Sequence, residues 1–287
     1  MSVLRRIPVW VWALFVLGFL VLLSLAPRGH KENFNVADEF TLHPLIKLPK
    51  VGPIDFSVTK PVVYLWMTVA IIIVVAIVVS RIMKRRPGGL QVVIETIYQL
   101  AYDGIAGSVM KTGIDSWFPY IGSAFIFVLI ANLIGLIPLP FGEHHQLAFY
   151  AATGNLNVTI VLALLTFVFT QYAGIHAKGG LGYVKSWILP QAPPVLKQLI
   201  FVMHIISEFF RIVSLSVRLF ANMLAGHAIL AVFFAMALLF QSYLIGVVLQ
   251  AGSILLYLFE IFIAFIQAFI FAILSAVYIG GALEDEH

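Results

Sequence analysis

No cysteine occurs in the sequence, which excludes disulfides and thiolate metal centres. Charge is also scarce. Asp, Glu, Lys and Arg make up 10% of the 287 residues, where a soluble domain carries about 25%. So few charges cannot cover a water-facing surface, whereas lipid does not demand them. Also missing are the G-x-x-x-x-G-K-[ST] phosphate loop, H-E-x-x-H, C-x-x-C-H and G-x-S-x-G. No pattern therefore supports nucleotide hydrolysis by this chain itself. Nor is there an internal repeat, so the inverted halves typical of secondary transporters lack support.

What is abundant is apolar: 62% of residues, with 24 Phe. The net charge of +4 sits largely beside hydrophobic runs, which reads as membrane orientation and not as nucleic-acid binding. Residues 1–26 form an N-terminal anchor or a signal-like segment, with Arg5 and Arg6 ahead of the apolar run. Residues 27–60 read as an outer-side loop with room for a short strand. Residues 61–194 carry spanning helices and an amphipathic inner-surface segment over 90–110. In that segment Val93, Ile94, Ile97, Leu100, Ala101 and Ile105 recur at helical spacing among Gln91, Glu95, Gln99 and Asp103. Arg81, Lys84, Arg85 and Arg86 mark the inner side, and Lys178 and Lys185 mark it again. The expected fold is an all-α polytopic membrane protein. It has five core membrane helices plus the N-terminal hydrophobic segment, the amphipathic helix and a C-terminal hairpin over 195–280. A solvated acidic tail, 281–287, follows.

The two apolar stretches of the hairpin, from about Val195 to Phe240 and from about Tyr243 to Ile279, each far exceed the ~20 residues of a perpendicular span. Two long tilted helices explain the excess, and two kinked spans are the alternative. The first stretch carries Arg218 among Leu, Phe, Val and Ile. Its guanidinium stays charged, with a pKa above ~12. Burial at a helix centre costs ~2.5–3.5 kcal/mol on insertion scales, so the charge needs a negative or aqueous partner. At about 100° per residue Asn222 shares the face of Arg218, whereas His227 points to the opposite face. On the second stretch Gln250, Tyr257, Glu260, Gln267 and Tyr278 fall within about 100° of one another, a polar stripe that lipid would not tolerate.

Blander readings accompany several of these residues. Asn222 and Gln267 also read as packing groups that bond a neighbouring helix. Tyr257 and Tyr278 fit an interfacial belt, and His204 an interfacial histidine. Glu208 and Arg211 can neutralise each other. His144 and His145, beside one carboxylate in a loop, make a poor metal site. No metal and no cofactor are expected.

The block Ser214-Leu-Ser-Val-Arg-Leu-Phe-Ala-Asn-Met-Leu-Ala-Gly-His227 and the downstream Ile266-Gln-Ala-Phe-Ile-Phe271 resemble subunit a of the F-type ATP synthases. So do Asn132-Leu-Ile-Gly-Leu-Ile-Pro138 and Asn157-Val-Thr159, and the resemblance runs from about Asn33 to the C-terminus. It implies a proton-translocating stator, not catalytic itself, that works beside a rotating c-ring proteolipid. The peripheral stalk subunit b and the remaining synthase subunits would be further partners, in contact with membrane lipid, in a multi-pass bacterial plasma-membrane protein with a mitochondrial-type origin as the variant. By position it makes Arg218 the barrier between two half-channels. His227 and Glu260 become the outer half-channel, Asn222, Gln267, Gln250 and Tyr278 polar neighbours, and His204 and Glu208 candidates for the inner half-channel. Two departures stand out: His204 replaces the glutamate usual fourteen residues before the arginine, and Ile212 replaces the proline usual six before it. The rival from another class is a stand-alone proton-coupled transporter or channel in which Arg218 binds an anionic substrate. A purely structural membrane subunit is the third reading.

Overall fold

Lipid offers no hydrogen bonds, so an apolar run must satisfy its backbone internally, and a helix does so whatever its β-branched content. The computed structural model describes residues 44–47, 57–83, 88–136, 151–188, 193–239 and 243–284, the side chains at 44, 45, 82, 90, 194, 231, 234, 235, 237–239 and 243–250 excepted. The segment 1–26, most of the 27–60 loop, His144, His145 and the tail beyond Glu284 lie outside the described residues. A two-stranded antiparallel ribbon, β1 (Pro44–Ile46) and β2 (Val58–Thr59), leads into helix α1 (Lys60–Ile82). Then follow α2 (Gly89–Gln99), α3 (Ile114–Leu136), α4 (Leu156–Lys178), α5 (Gly180–Ser186), α6 (Pro194–Leu239) and α7 (Tyr243–Leu283). Among the described residues five helices are long and apolar enough to cross a membrane, as expected for an all-α polytopic protein.

The amphipathic segment differs from a simple surface helix. After α2 the chain continues through a π-helical stretch, Leu100–Ala106, and one further turn, Gly107–Val109. The π stretch widens the helix and turns its apolar stripe. Val92, Val93 and Tyr98 stay exposed, whereas Ala101, Ile105, Ala106 and Met110 are buried in the protein's own core. Only the first half is therefore free to lie against lipid. Tyr102 anchors the turn by donating to Asp115 Oδ1 at 2.5 Å, and that bond pushes its phenol above the ordinary range.

The hairpin consists of two helices of 46 and 41 residues, each continuous over its described length. At ~1.5 Å per residue each is about 60–70 Å long, twice a ~30 Å hydrocarbon layer, and fits within it only when strongly inclined. Four contacts run along the hairpin in antiparallel register: Arg211 on Tyr278, Asn222 on Gln267, Gly226 on Glu260 and Phe233 on Gly252. Helix α7 also runs antiparallel to α3, from Gly113 beside Leu283 to Asn132 beside the carbonyl of Ala264. A ridge of alanines spaced by four, Ala264, Ala268, Ala272 and Ala276, makes this approach close, and each is 0% exposed. Ile121, Phe125 and Val128 of α3 and Leu215 and Leu219 of α6 complete the core.

Helix α4 opens with Asn155, whose side chain caps the N–H of Asn157 at 2.8 Å. It stops at Gly179, whose φ of 72° suits glycine and turns the chain back. The short α5 then folds onto α4: Tyr183 lies against Gly174, where a Cβ would come within 2.1 Å of the ring.

Candidate functional site

Three groups of polar residues are spread along the hairpin. At the end that carries Lys111, Lys178 and Lys185, Glu208 is 7% exposed and accepts from Arg211 Nη1 at 2.7 Å and from Gln171 Nε2 at 3.1 Å. His204 Nε2 stands 3.7 Å from the same carboxylate, and its ring stacks on Trp187 at 4.7 Å. Glu208 and Arg211 thus neutralise each other locally, one of the readings open from sequence. His204, Glu208, Arg211 and Trp187 line a cavity of ≈ 280 Å³ together with Thr170, Lys178, Tyr183, Tyr278 and Glu284. Burial raises the phenol of Tyr183 above its ordinary value. Tyr278 belongs here and is not a neighbour of Arg218: its ring lies under the Arg211 guanidinium, 4.1 Å from the centroid. Tyr278 shares the stripe of Gln267 but lies eleven residues beyond it along α7, so one face serves two levels.

The middle group holds Arg218, Asn222 and Gln267. Asn222 Nδ2 reaches Gln267 Oε1 at 3.5 Å across the hairpin, the limit of a hydrogen bond, and Gln267 is 5% exposed. Arg218 corrects the expectation of an arginine buried within the chain. It is exposed on the outward face of α6, next to Val217 and one turn from Ser214 and Ala221, all three also exposed. Among the described residues it makes no hydrogen bond and no ion pair. The reason is angular: the inward face of this stretch is taken by Leu215, Leu219 and Met223. Helix α7 passes through position 250, but the side chain of Gln250 lies outside the description.

The third group, farther from that lysine-bearing end, is His227 and Glu260. Glu260 is 7% exposed, and neither carboxylate oxygen has a hydrogen-bond partner; His227 Nε2 is likewise buried without one. The carboxylate occupies the space beside Gly226, where a Cβ would lie 2.6 Å from Oε1. The hairpin therefore brings Glu260 next to the residue preceding His227, though no ion pair joins the two among the described residues. Tyr257, one turn before, is tied into the protein and not into an aromatic belt, since its hydroxyl donates to the Leu136 carbonyl at 2.7 Å.

Sequence reasoning missed Gln171, Trp187, Gly226 and the Tyr183–Gly174 contact. Gln171, a lone amide in an apolar run, carried a readable signal. The other three depend on which helices meet, and nothing local announces them. Among the described residues no cluster of three His, Cys, Asp or Glu could hold a metal ion.

Residues 62–280 match the family model described as "ATP synthase A chain". The chain is 38% identical to a protein of Rubrobacter xylanophilus named "ATP synthase subunit a", over 83% of this chain and 90% of the relative. A protein of the same name from Pelodictyon phaeoclathratiforme is 36% identical, over 87% of this chain and 74% of the relative. A third, from Chloroherpeton thalassium, is 34% identical over 86% and 74%.

Proposed function

The chain belongs to the ATP synthase A chain family, and on that premise we propose that it is the stator of a rotary F-type synthase, offering two half-channels to a c-ring with Arg218 as the barrier. That it is a multi-pass membrane subunit of an ATP synthase follows from the family and its spans. Its work there is proton translocation. The finer roles, and the c-ring, subunit b and the plasma membrane as its surroundings, are our reading.

One observation carries it. Arg218 is a permanent cation, exposed on the outward face of a largely apolar membrane helix, and unpaired among the described residues. Lipid cannot leave such a charge uncompensated. An acidic group on a facing helix of another subunit meets the need, and a carboxylate passing on a rotor does so repeatedly. The guanidinium favours the ionised carboxylate by its charge, so a proton arriving from one side must leave the stator surface on the rotor before it can exit on the other.

Glu260 and His227, buried near the outer end of the hairpin contact, suit delivery from the outer side, since both chemistries can take and give protons. The inner cavity with His204 and Glu208 suits release to the cytoplasm. A charge crossing 100 mV yields about 2.3 kcal/mol, so several steps must be collected by a nucleotide-binding unit elsewhere. The transporter reading would require a substrate site within this chain near Arg218; the ≈ 280 Å³ cavity lies by Arg211, two turns away.

The test is Arg218→Ala in the assembled complex. ATP-driven proton pumping into inverted vesicles, read by fluorescence quenching, should vanish while membrane insertion and complex content stay at wild-type levels. Wild-type pumping would refute the barrier. Uphill transport of a solute by the isolated chain in liposomes would favour the transporter instead.

A further inference from the structure

Glu260 has no hydrogen bond of its own, so its position is dictated by the helix that bears it. That helix is tethered on both sides of Glu260. Three residues before it, the Tyr257 hydroxyl donates to Leu136 O at 2.7 Å. Four residues after it, Asn132 Nδ2 donates to Ala264 O at 3.3 Å. Asn132 is itself fixed, because Thr153 Oγ1 donates to its Oδ1 at 2.6 Å, and both residues are 0% exposed. Thr153 belongs to the single 3₁₀ turn Ala152–Gly154 that enters α4. The backbones of that turn and α3 touch: a Cβ on Gly135 would lie 2.5 Å from Ala151 Cα. The same turn packs on the other hairpin helix, since Ala151 shares a buried cluster with Met223, one turn before His227, and with Ala264.

We propose that Asn132, Thr153 and Tyr257 are positioning residues for proton uptake: together they dock the outer turn on both hairpin helices and hold the Glu260 carboxyl against Gly226, beside His227. The inference rests on Glu260 belonging to the outer half-channel. A buried amide with both ends satisfied is an expensive feature to place in an apolar bundle. Here it does more than fill space, because its two bonds join an outer turn to the backbone of the helix that carries the unpaired carboxyl.

The experiment compares Thr153→Val, Tyr257→Phe, Thr153→Ser and Glu260→Gln in the whole synthase, reconstituted in liposomes. ATP synthesis per assembled complex is measured against proton concentration on the outer side at fixed inner pH. Thr153→Val and Tyr257→Phe should each raise the half-saturating outer proton concentration or lower the rate at limiting protons about fivefold, the factor set by one hydrogen bond of ~1 kcal/mol. The dependence on inner pH should not change, and Thr153→Ser should restore wild-type behaviour. A merely structural role would lower the amount of complex and leave the proton dependence per complex intact, which overturns the proposal. Should Thr153→Val fail to assemble, Tyr257→Phe carries the same test, since it keeps the ring. Wild-type behaviour of Glu260→Gln would bring down the half-channel reading and this inference with it. An impaired Glu260→Gln beside wild-type-like clamp variants would bring down the clamp alone.

Discussion

Gly226→Ala separates the stability of the hairpin from its chemistry. The new Cβ would stand 2.6 Å from Glu260 Oε1 and 3.1 Å from its Cδ, where ordinary contact begins at 3.4 Å. The carboxylate must retreat by the difference, about 0.8 Å, and as the far end of a flexible side chain it can do so. Mid-helix Gly→Ala favours the helix by ~1 kcal/mol, so the fold should be unharmed or slightly firmer. Function should move the other way. Displacing a reacting group by ~1 Å costs up to ~100-fold in rate, and a loss of about 10–100-fold in ATP synthesis driven by an imposed proton gradient is expected. The assay is luciferase-detected synthesis in proteoliposomes, normalised to assembled complex and paired with thermal denaturation in detergent. Adding Glu260→Asp, one methylene shorter, should recover part of the rate by withdrawing the carboxyl from the new methyl. A wild-type rate in Gly226→Ala, with an undiminished melting temperature, would refute the claim that the carboxylate works from this niche.

Arg211→Met leaves the buried Glu208 with Gln171 and with His204 3.7 Å away, and removes the stack on Tyr278; it should destabilise the purified complex by about 1–3 kcal/mol, read as a lower melting temperature, and an unchanged one would refute the pairing. Gly174→Ala puts a Cβ 2.1 Å from the Tyr183 ring, so α5 should lift away and a cysteine introduced at Ser186 should label faster with a thiol reagent from the inner side. Equal labelling in both backgrounds would show that α5 does not depend on that contact.

Fold class was legible because length and apolarity determine it: a run of 20 or more apolar residues has one way to satisfy its backbone in lipid. The unbroken hairpin could be read from two apolar stretches interrupted only near 240. Even the close approach of α7 to α3 had a signature in the sequence, the alanines at 264, 268, 272 and 276. What could not be read was three-dimensional. The π-helical stretch at Leu100–Ala106 turns a stripe that a constant 100° step places elsewhere. Arg218 was expected to be internal because a membrane helix hides its charges, yet hiding can be done by another chain. Tyr278 falls on the stripe of Glu260 and Gln267 by angle alone, but the antiparallel register sets it opposite Arg211.

The spacing of the groups constrains how a proton could pass. Glu208 and Gly226, the neighbour of Glu260, lie eighteen residues apart on α6, which is about 27 Å of helix. The inward face between them carries Leu215, Leu219 and Met223, 3%, 0% and 5% exposed, packed with Ala264, Ala268 and Phe271. Asn222 and Gln267 are the polar pair across the hairpin in this interval, and amides do not titrate. On the proposed reading, a proton taken up at Glu260 meets no titratable side chain through the described interior of the hairpin before Glu208. The exposed face of the same interval carries Arg218. Transfer along that face requires a carrier that picks up its proton near one end, becomes neutral enough to leave the guanidinium, and returns to release it near the other. A fixed partner helix cannot travel that distance, whereas a ring of carboxylates turning past Arg218 needs no single group to move directly from one end to the other. The apolar gap within the hairpin thus favours a rotary partner over a channel contained in this chain.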